Sequence, residues 1–151
     1  MRYAVLSDVH GNLEALSAVL ADAASEGALG VLCLGDAVGY GADPVACVEL
    51  LGERATRMVA GNHEHGALGR LDLRWFNRAA REAALWTREQ LGADHAVYLS
   101  GLGLHATLGE ATCVHASPRR PEEWDYLISD EDGFRAFGDF SRDNVRVRQV
   151  G

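Results

Sequence analysis

The sequence predicts an α/β fold built around a parallel β-sheet. Short apolar runs that read as buried strands alternate with segments of helical period, and glycine-rich loops separate them. Because strand, helix and strand follow one another in the first part of the chain, the strands are expected to pair in parallel. At 151 residues, 48% of them hydrophobic, the chain is expected to form one globular domain over residues 1–151.

The first strand is expected at residues 3–6, an apolar run that ends before a polar motif. A helical period begins after Gly11, and Asn12 is a suitable N-cap because its side-chain oxygen can accept a main-chain N–H. Gly27 marks the end of this helix. Its apolar face comprises Leu13, Leu16, Val19 and Leu20.

A second strand and helix follow. Residues 31–34 form the strand, a glycine-rich loop covers residues 35–43, and Pro44 suits the first turn of the helix, where its missing N–H is not needed. The helix is expected to end at Gly52, and residues 58–60 form a third apolar strand. The inward face of this second helix comprises Val45, Val48 and Leu51.

A longer helix is expected at residues 76–91, with charged residues on its outer side and with Leu85 and Trp86 among its buried candidates. Residues 102–115 read as a β-hairpin whose turn lies at Gly109, which adds antiparallel pairing to the parallel strands.

The last two elements are a helix and a strand. Ser129 is followed by three acidic residues, which is typical of an N-cap and a first helical turn, and the helix is expected to run to about residue 140. Residues 145–150 alternate apolar and polar side chains and are therefore predicted to form a strand.

Composition excludes several kinds of function. The formal net charge of −8 argues against a general nucleic-acid-binding module, because that affinity depends on dense positive charge. All fourteen basic residues are arginine, so lysine nucleophiles and Schiff-base chemistry are excluded as well. No apolar stretch reaches the roughly 18 residues needed to cross a membrane, and a cytoplasmic location is expected. Cys33, Cys47 and Cys113 are most simply small buried residues.

Polar motifs follow the first three predicted strands directly. They are Asp8-Val9-His10, Gly35-Asp36 and Gly61-Asn62-His63-Glu64, and His115 follows a fourth apolar strand. Ligands of open α/β sheets bind beyond the carboxyl ends of the strands, where loops from several strands converge. Carboxylate, imidazole and amide groups gathered there are suitable ligands for divalent metal ions.

Each motif taken alone also has a purely structural interpretation. Asp-x-His and Gly-Asp are common in turns, and a single histidine such as His115 is more often a hydrogen-bonded structural residue than a metal ligand. Four such motifs at strand ends in one chain favour a two-metal hydrolase site.

With these residues the chain resembles the calcineurin-like metallophosphoesterases, whose motifs are D-x-H, G-D, G-N-H-[D/E], a later H and finally G-H-x-H. The first four are present in the same order. Residues 35–44 and 114–119 are similar to the small bacterial and archaeal phosphodiesterase branch of that family. The resemblance covers nearly the whole chain and implies an αββα sandwich.

The resemblance implies a role for each motif residue. Two divalent ions, of manganese, iron, zinc, cobalt or nickel, would activate water for attack on a phosphate ester. Asp8 and His10 would hold the first ion, and Asp36 would bridge the pair. Asn62 and His115 would hold the second ion, and His63 would be the catalytic residue that faces the phosphate. Glu64 either holds His63 in position or is an exposed loop carboxylate.

The final G-H-x-H motif is the main departure from the family pattern, because no histidine follows His115. Residues 138–141 could be aligned with it, with Asp139 as a replacement ligand, but that alignment would interrupt the predicted last helix. The better alignment places Gly151 at the motif's own glycine. The fold is then C-terminally incomplete, and each ion lacks one protein ligand. An exposed sheet edge would favour a homo-oligomer, which a monomer in sizing chromatography would exclude.

The predicted function is therefore hydrolysis of small phosphodiesters or phosphomonoesters by a metal-dependent enzyme. The alternative is a non-catalytic binding or regulatory domain with an incomplete metal site. A protein serine/threonine phosphatase fits less well. Those enzymes continue Gly-Asp with Asp-Arg-Gly, whereas Asp36 is followed here by Ala37, Val38 and Gly39.

Overall fold

The computed structural model describes residues 2–109 and 111–142. A three-stranded parallel sheet of order β1-β2-β3 lies at its centre, formed by β1 (Ala4–Leu6), β2 (Val31–Cys33) and β3 (Ala55–Met58). In the register, Ala4 lies opposite Val31 and Cys33 lies opposite Met58. The predicted α/β class with parallel pairing is confirmed.

Two helices connect these strands. In α1 (Leu13–Ser25) the side chain of Asn12 accepts a hydrogen bond from the main-chain N–H of Ala15 at 3.0 Å, which confirms the predicted N-cap. Pro44 begins α2 (Pro44–Arg54), which continues two residues past the predicted end at Gly52. The predicted inward position of Val19 was wrong, because this residue is 44% exposed.

The third strand lies earlier than residues 58–60, where the apolar pattern placed it. Val59 and Ala60 follow β3 and are buried, and they donate main-chain hydrogen bonds to Cys33 (3.1 Å) and Gly103 (2.9 Å). The apolar side chains of Val59 and Ala60 therefore reflect their burial, although both residues lie beyond the end of the strand.

Three more helices follow: α3 (Asn62–Ala67), α4 (Arg78–Gln90) and α5 (Ala93–Ser100). The sequence did not predict α5, and it did not predict that α3 is helical. Leu85 and Trp86 of α4 are 44% and 40% exposed, so their predicted burial was wrong. The buried positions of α4 are Ala80, Ala84 and Thr87. Small side chains at these positions allow α4 to pack closely, and larger ones stay outside.

The predicted hairpin is present as β4 (His105–Leu108) and β5 (Ala111–Val114), with Gly109 at φ +60° in its turn. It forms a separate two-stranded antiparallel sheet, and Cys113 packs with Leu32 and Val59. The last described helix is α6 (Asp130–Arg142). It continues through residues 138–141, so an alignment of the G-H-x-H motif with these residues would interrupt a helix, as expected. The predicted strand at residues 145–150 lies outside the described residues. No described helix has the length and apolar character needed to cross a bilayer.

Candidate metal centre

The carboxyl edge of the parallel sheet carries the motif residues. Asp8 follows β1, Asp36 follows β2, and Asn62 begins α3 just beyond β3. Main-chain hydrogen bonds join the first two loops, because the N–H of Asp8 donates to Gly35 at 3.1 Å and the N–H of His10 donates to Asp36 at 2.9 Å. The strand order therefore brings side chains from three separate loops to one place.

Four residues of this edge have a left-handed backbone conformation that non-glycine residues rarely adopt. Asp8, His10, Asp36 and Tyr40 have φ values of 57°, 51°, 55° and 57°. Such conformations cost free energy and persist only where the surrounding structure enforces them, which is common at functional sites. The hydrogen bonds between the loops provide that enforcement here.

Two groups of three side chains offer ligand atoms that lie within 4.8 Å of one another. One group consists of Asp8, Asp36 and His115, and the other consists of His10, Asp36 and His63. Asp36 belongs to both groups. A carboxylate shared between two sets of ligands is suited to bridging two metal ions.

All six residues predicted from the sequence lie in this cluster, although their grouping differs from the expected one. Asp8 is grouped with His115 instead of His10, and His63 is grouped with His10. The side-chain oxygen of Asn62 lies 3.2 Å from Nε2 of His115. The assignment of each residue to a particular ion remains a prediction.

Hydrogen bonds orient two of the imidazole rings towards the cluster. Nδ1 of His10 lies 3.0 Å from the carbonyl oxygen of Val38, and Nδ1 of His115 lies 2.8 Å from the carbonyl oxygen of Leu34. Because a carbonyl oxygen can only accept, Nδ1 carries the hydrogen in each ring and Nε2 faces the cluster. This arrangement is typical of histidine metal ligands.

Electrostatics couple Asp36 to His115, whose Nε2 lies 3.4 Å from Oδ2 of the carboxylate. Burial raises the pKa of Asp36, but the hydrogen bond and charge of His115 outweigh it and hold that pKa below its usual value. Burial lowers the pKa of His115, but Asp36 outweighs this effect and raises it to about 9. Metal binding through Nε2 of His115 would therefore have to release a proton from this ring.

His63 is buried among aromatic rings. Its ring centroid lies 4.6 Å from that of His10, 4.9 Å from that of Tyr40 and 4.8 Å from that of Phe76. Burial lowers the pKa of His63, so the ring is neutral at pH 7. Among the described residues, its Nδ1 is a buried atom without a hydrogen-bond partner. Gly39 covers this side of the ring, since a Cβ atom at Gly39 would overlap Nδ1.

Glu64 has neither of the two roles predicted for it, which were to hold His63 in position or to be an exposed loop carboxylate. It has no exposed surface, so it is not an exposed loop carboxylate, and its hydrogen bonds go to main-chain groups instead of to His63. One of them returns to Gly61, the residue that caps α3, as in a capping box. A Glu three residues after a capping position was the sequence signal for this helix.

Two aromatic residues lie beside the centre that sequence reasoning did not assign to it. The ring of Tyr40 lies 4.9 Å from that of His10, and the ring of Trp124 lies 6.2 Å from that of His115. Trp124 also borders a cavity of about 250 Å³ with Asn62 and His115. Nothing in the spacing of these aromatic residues points to the site, because only the fold brings them there.

The donors fit divalent transition-metal ions. Carboxylate, amide and imidazole groups are the mixture that manganese, iron, cobalt, nickel and zinc accept, and the ring orientations leave Nε2 of His10 and His115 directed inward. Asp8 is the most accessible member, with 56% of its side chain exposed, and it accepts a hydrogen bond from the hydroxyl of Ser7. The described cluster therefore has the donors that could hold metal ions, and Asp8 can be reached from solvent.

A family model and a relative of known sequence both match most of the chain. The model of the calcineurin-like phosphoesterase family matches residues 1–143. The chain is 42% identical over 131 residues to the uncharacterized protein MJ0912 of Methanocaldococcus jannaschii, a match that covers 84% of this chain and 54% of that protein. The chain thus spans about half the length of this relative.

Solved structures resemble the chain over most of its length. A metallophosphoesterase from Sphaerobacter thermophilus is 42% identical, with a TM-score of 0.79 over 93% of this chain and 56% of that one. The hypothetical protein PH1004 from Pyrococcus horikoshii OT3 is 19% identical, with a TM-score of 0.76 over 93% of this chain and 65% of that one, and it supports the fold alone. From the family match and the shared identity, the chain belongs to the calcineurin-like phosphoesterase family.

Proposed function

We propose that this protein is a metal-dependent phosphoesterase that hydrolyses small phosphodiesters or phosphomonoesters. The observation that carries the proposal is that the carboxylate of Asp36 belongs to both groups of ligand atoms. Membership of the calcineurin-like phosphoesterase family supports it. A cytoplasmic location and a small phosphate-ester substrate belong to the same proposal.

The protein side chains have distinct tasks in this reaction. Asp8, His10, Asn62 and His115 would hold the two ions, and Asp36 would be their shared ligand. Bound divalent ions, about 3.5–4 Å apart in two-metal sites, would lower the pKa of water and neutralise phosphate charge. His63 is neutral and buried, so it can donate a hydrogen bond to charge that develops on the phosphate or on the leaving oxygen.

Turnover of a chromogenic phosphodiester and of a chromogenic phosphomonoester in the presence of Mn²⁺ tests the proposal. Asp36→Ala should abolish activity because it removes the shared ligand. His63→Ala should reduce kcat by about 10²- to 10⁴-fold, the usual contribution of a general acid. Asp22→Ala is the matched control, since Asp22 is an exposed aspartate on α1 away from the carboxyl edge of the sheet.

Two outcomes would contradict the proposal. Activity that survives Asp36→Ala would show that a contaminating enzyme or another site is responsible. Absence of turnover with manganese, iron, zinc, cobalt and nickel alike would favour the alternative, a non-catalytic binding or regulatory domain.

A further inference from the structure

Glu64 is an ionisable side chain buried completely in the middle of the site. Its exposure is 0%, and burial raises its pKa, as does the nearby charge of Asp36. A buried carboxylate is costly unless hydrogen-bond donors surround it. The hydrogen-bond donors around Glu64 therefore identify the segments that this side chain holds together.

Four main-chain N–H groups donate to the two carboxylate oxygens. Oε1 accepts from Ala37 at 2.8 Å and from Val38 at 3.2 Å, and Oε2 accepts from Asp36 at 2.9 Å and from Gly61 at 2.7 Å. No arginine or histidine is among these partners. Glu64 thus ties the loop after β2 to the start of α3 through the backbone, without forming an ion pair.

The groups tied together are those that carry or orient the candidate ligands. Asp36 is the shared carboxylate, and its Oδ1 accepts a hydrogen bond from the N–H of His63 at 2.9 Å. The carbonyl oxygen of Val38 orients His10. Gly61 immediately precedes Asn62. A shift of the loop relative to α3 would therefore disturb both groups of ligand atoms at once.

We propose that Glu64 is a positioning residue that fixes the loop of residues 35–38 against α3 and so sets the geometry of both metal positions. It does so without contacting metal or substrate. Its effect on metal binding rests on the proposed function, whereas its effect on the loop does not.

The chemistry of the four donors determines which substitutions are informative. Glu64→Gln replaces one oxygen by an NH₂ group, and in either orientation this NH₂ faces two N–H donors. Glu64→Asp retains both oxygens and the charge but is shorter by one methylene. The glutamine variant is therefore expected to be the more damaging, and aspartate should restore part of the lost function.

The first experiment is calorimetric titration of metal-free protein with Mn²⁺, together with thermal unfolding of each variant. Glu64→Gln should weaken Mn²⁺ binding by about 10- to 100-fold, the usual effect of losing a group that orients metal ligands, and Glu64→Asp should weaken it less. Leu51→Ala is the matched control. Leu51 is fully buried in the last turn of α2, which leads into the start of β3, and it makes no hydrogen bond to Glu64, so its loss should lower the melting temperature and change Mn²⁺ affinity less than about 2-fold.

The second experiment measures amide hydrogen exchange in metal-free protein. In Glu64→Gln, or in Glu64→Asp if the glutamine variant does not fold, the amides of residues 36–38 should exchange faster than in the wild type, and in Leu51→Ala they should not. Unchanged exchange would overturn the proposal, as would a loss of Mn²⁺ affinity that only follows the loss of melting temperature across all three variants. Wild-type protein that binds no Mn²⁺ would defeat the proposed function, and the exchange data would still decide the role of Glu64 in the loop.

Discussion

Asp36 combines a strained backbone, a buried side chain and a carboxylate that faces several partners. Its φ of 55° lies in the left-handed region, and its Oδ2 approaches Nε2 of both His10 and His115. Residues in such conformations need support from their surroundings. The main-chain hydrogen bonds of the adjoining loops and of Glu64 supply it.

Gly39 should be essential for the placement of His63. Its φ of +90° favours glycine, and a Cβ atom there would overlap Nδ1 of His63. We expect Gly39→Ala to reduce kcat about as much as His63→Ala, roughly 10²-fold or more, and to lower stability. Steady-state kinetics and urea unfolding would measure both effects.

Gly27→Ala is a control that introduces backbone strain without a steric clash. Gly27 has a φ of +72°, but nothing lies within 4 Å of a Cβ atom placed there. This variant should lose about 1 kcal/mol of stability and retain full turnover per folded molecule. A Gly39→Ala enzyme with normal kcat would contradict the predicted role of Gly39.

His115 should make the stability of the metal-free protein depend on pH. Its folded pKa of about 9 lies above its ordinary value of 6.5, so its stabilising contribution is complete below pH 6.5 and is lost as pH rises through 9. Facing groups that raise this pKa are Asp36 and Asp8. Between pH 7 and 8.5 the free energy of unfolding should therefore fall, by no more than about 1.4 kcal/mol per pH unit.

Other groups do not dominate in that pH range. Burial lowers the pKa of His63, so this histidine changes the free energy of unfolding only below about pH 6.5. Burial raises the pKa of the Cys33 and Cys47 thiols from 9.0 to about 11, so their effect on stability falls mainly between pH 9 and 11. Urea unfolding of EDTA-treated wild type and His115→Gln would measure the difference. Equal pH dependence in the two proteins would contradict the assigned Asp36–His115 coupling.

At the scale of elements, α3 is a short helix that depends on its neighbours. It has only six residues, too few for stability on its own, and α4 packs against it. The guanidinium of Arg88 donates from Nε to the carbonyl oxygen of Ala67 and from Nη2 to that of Gly66, both at 2.8 Å. These bonds satisfy carbonyl groups at the end of α3 that have no partner within the helix.

Arg88→Lys should test this contact, because a lysine ammonium cannot reproduce the two-pronged geometry of a guanidinium. We expect a loss of about 1 kcal/mol in the free energy of unfolding and faster hydrogen exchange in α3. Arg81→Lys, an exposed position on the same helix, serves as the control. A stability for Arg88→Lys equal to that of the control would indicate that α4 supports α3 by packing alone.

Sequence periodicity predicted the elements whose signals are local and failed where tertiary contacts decide. Asn12 and Gly109 were identified correctly because an N-cap and a hairpin turn depend on one or two residues. The start of β3 was placed too late, because Val59 and Ala60 are apolar for reasons of burial beyond the strand. Leu85 and Trp86 were misassigned because α4 presents small residues to the core.

At the scale of the whole molecule, the sheet order determines which distant residues meet. Six candidate site residues could be named from sequence because each follows an apolar strand or is part of a motif, and a parallel sheet gathers such positions at one edge. Their grouping could not be predicted, because it depends on ring orientations set by carbonyl groups of Leu34 and Val38. Tyr40 and Trp124 were missed because only tertiary structure brings them to the centre.

The shared role of Asp36 is the central claim, and a crystal structure of the protein grown with Mn²⁺ tests it most directly. Anomalous scattering should reveal two manganese ions about 3.5–4 Å apart, with the Asp36 carboxylate bound to both. A single ion, or two ions that both lie beyond reach of the Asp36 carboxylate, would contradict it.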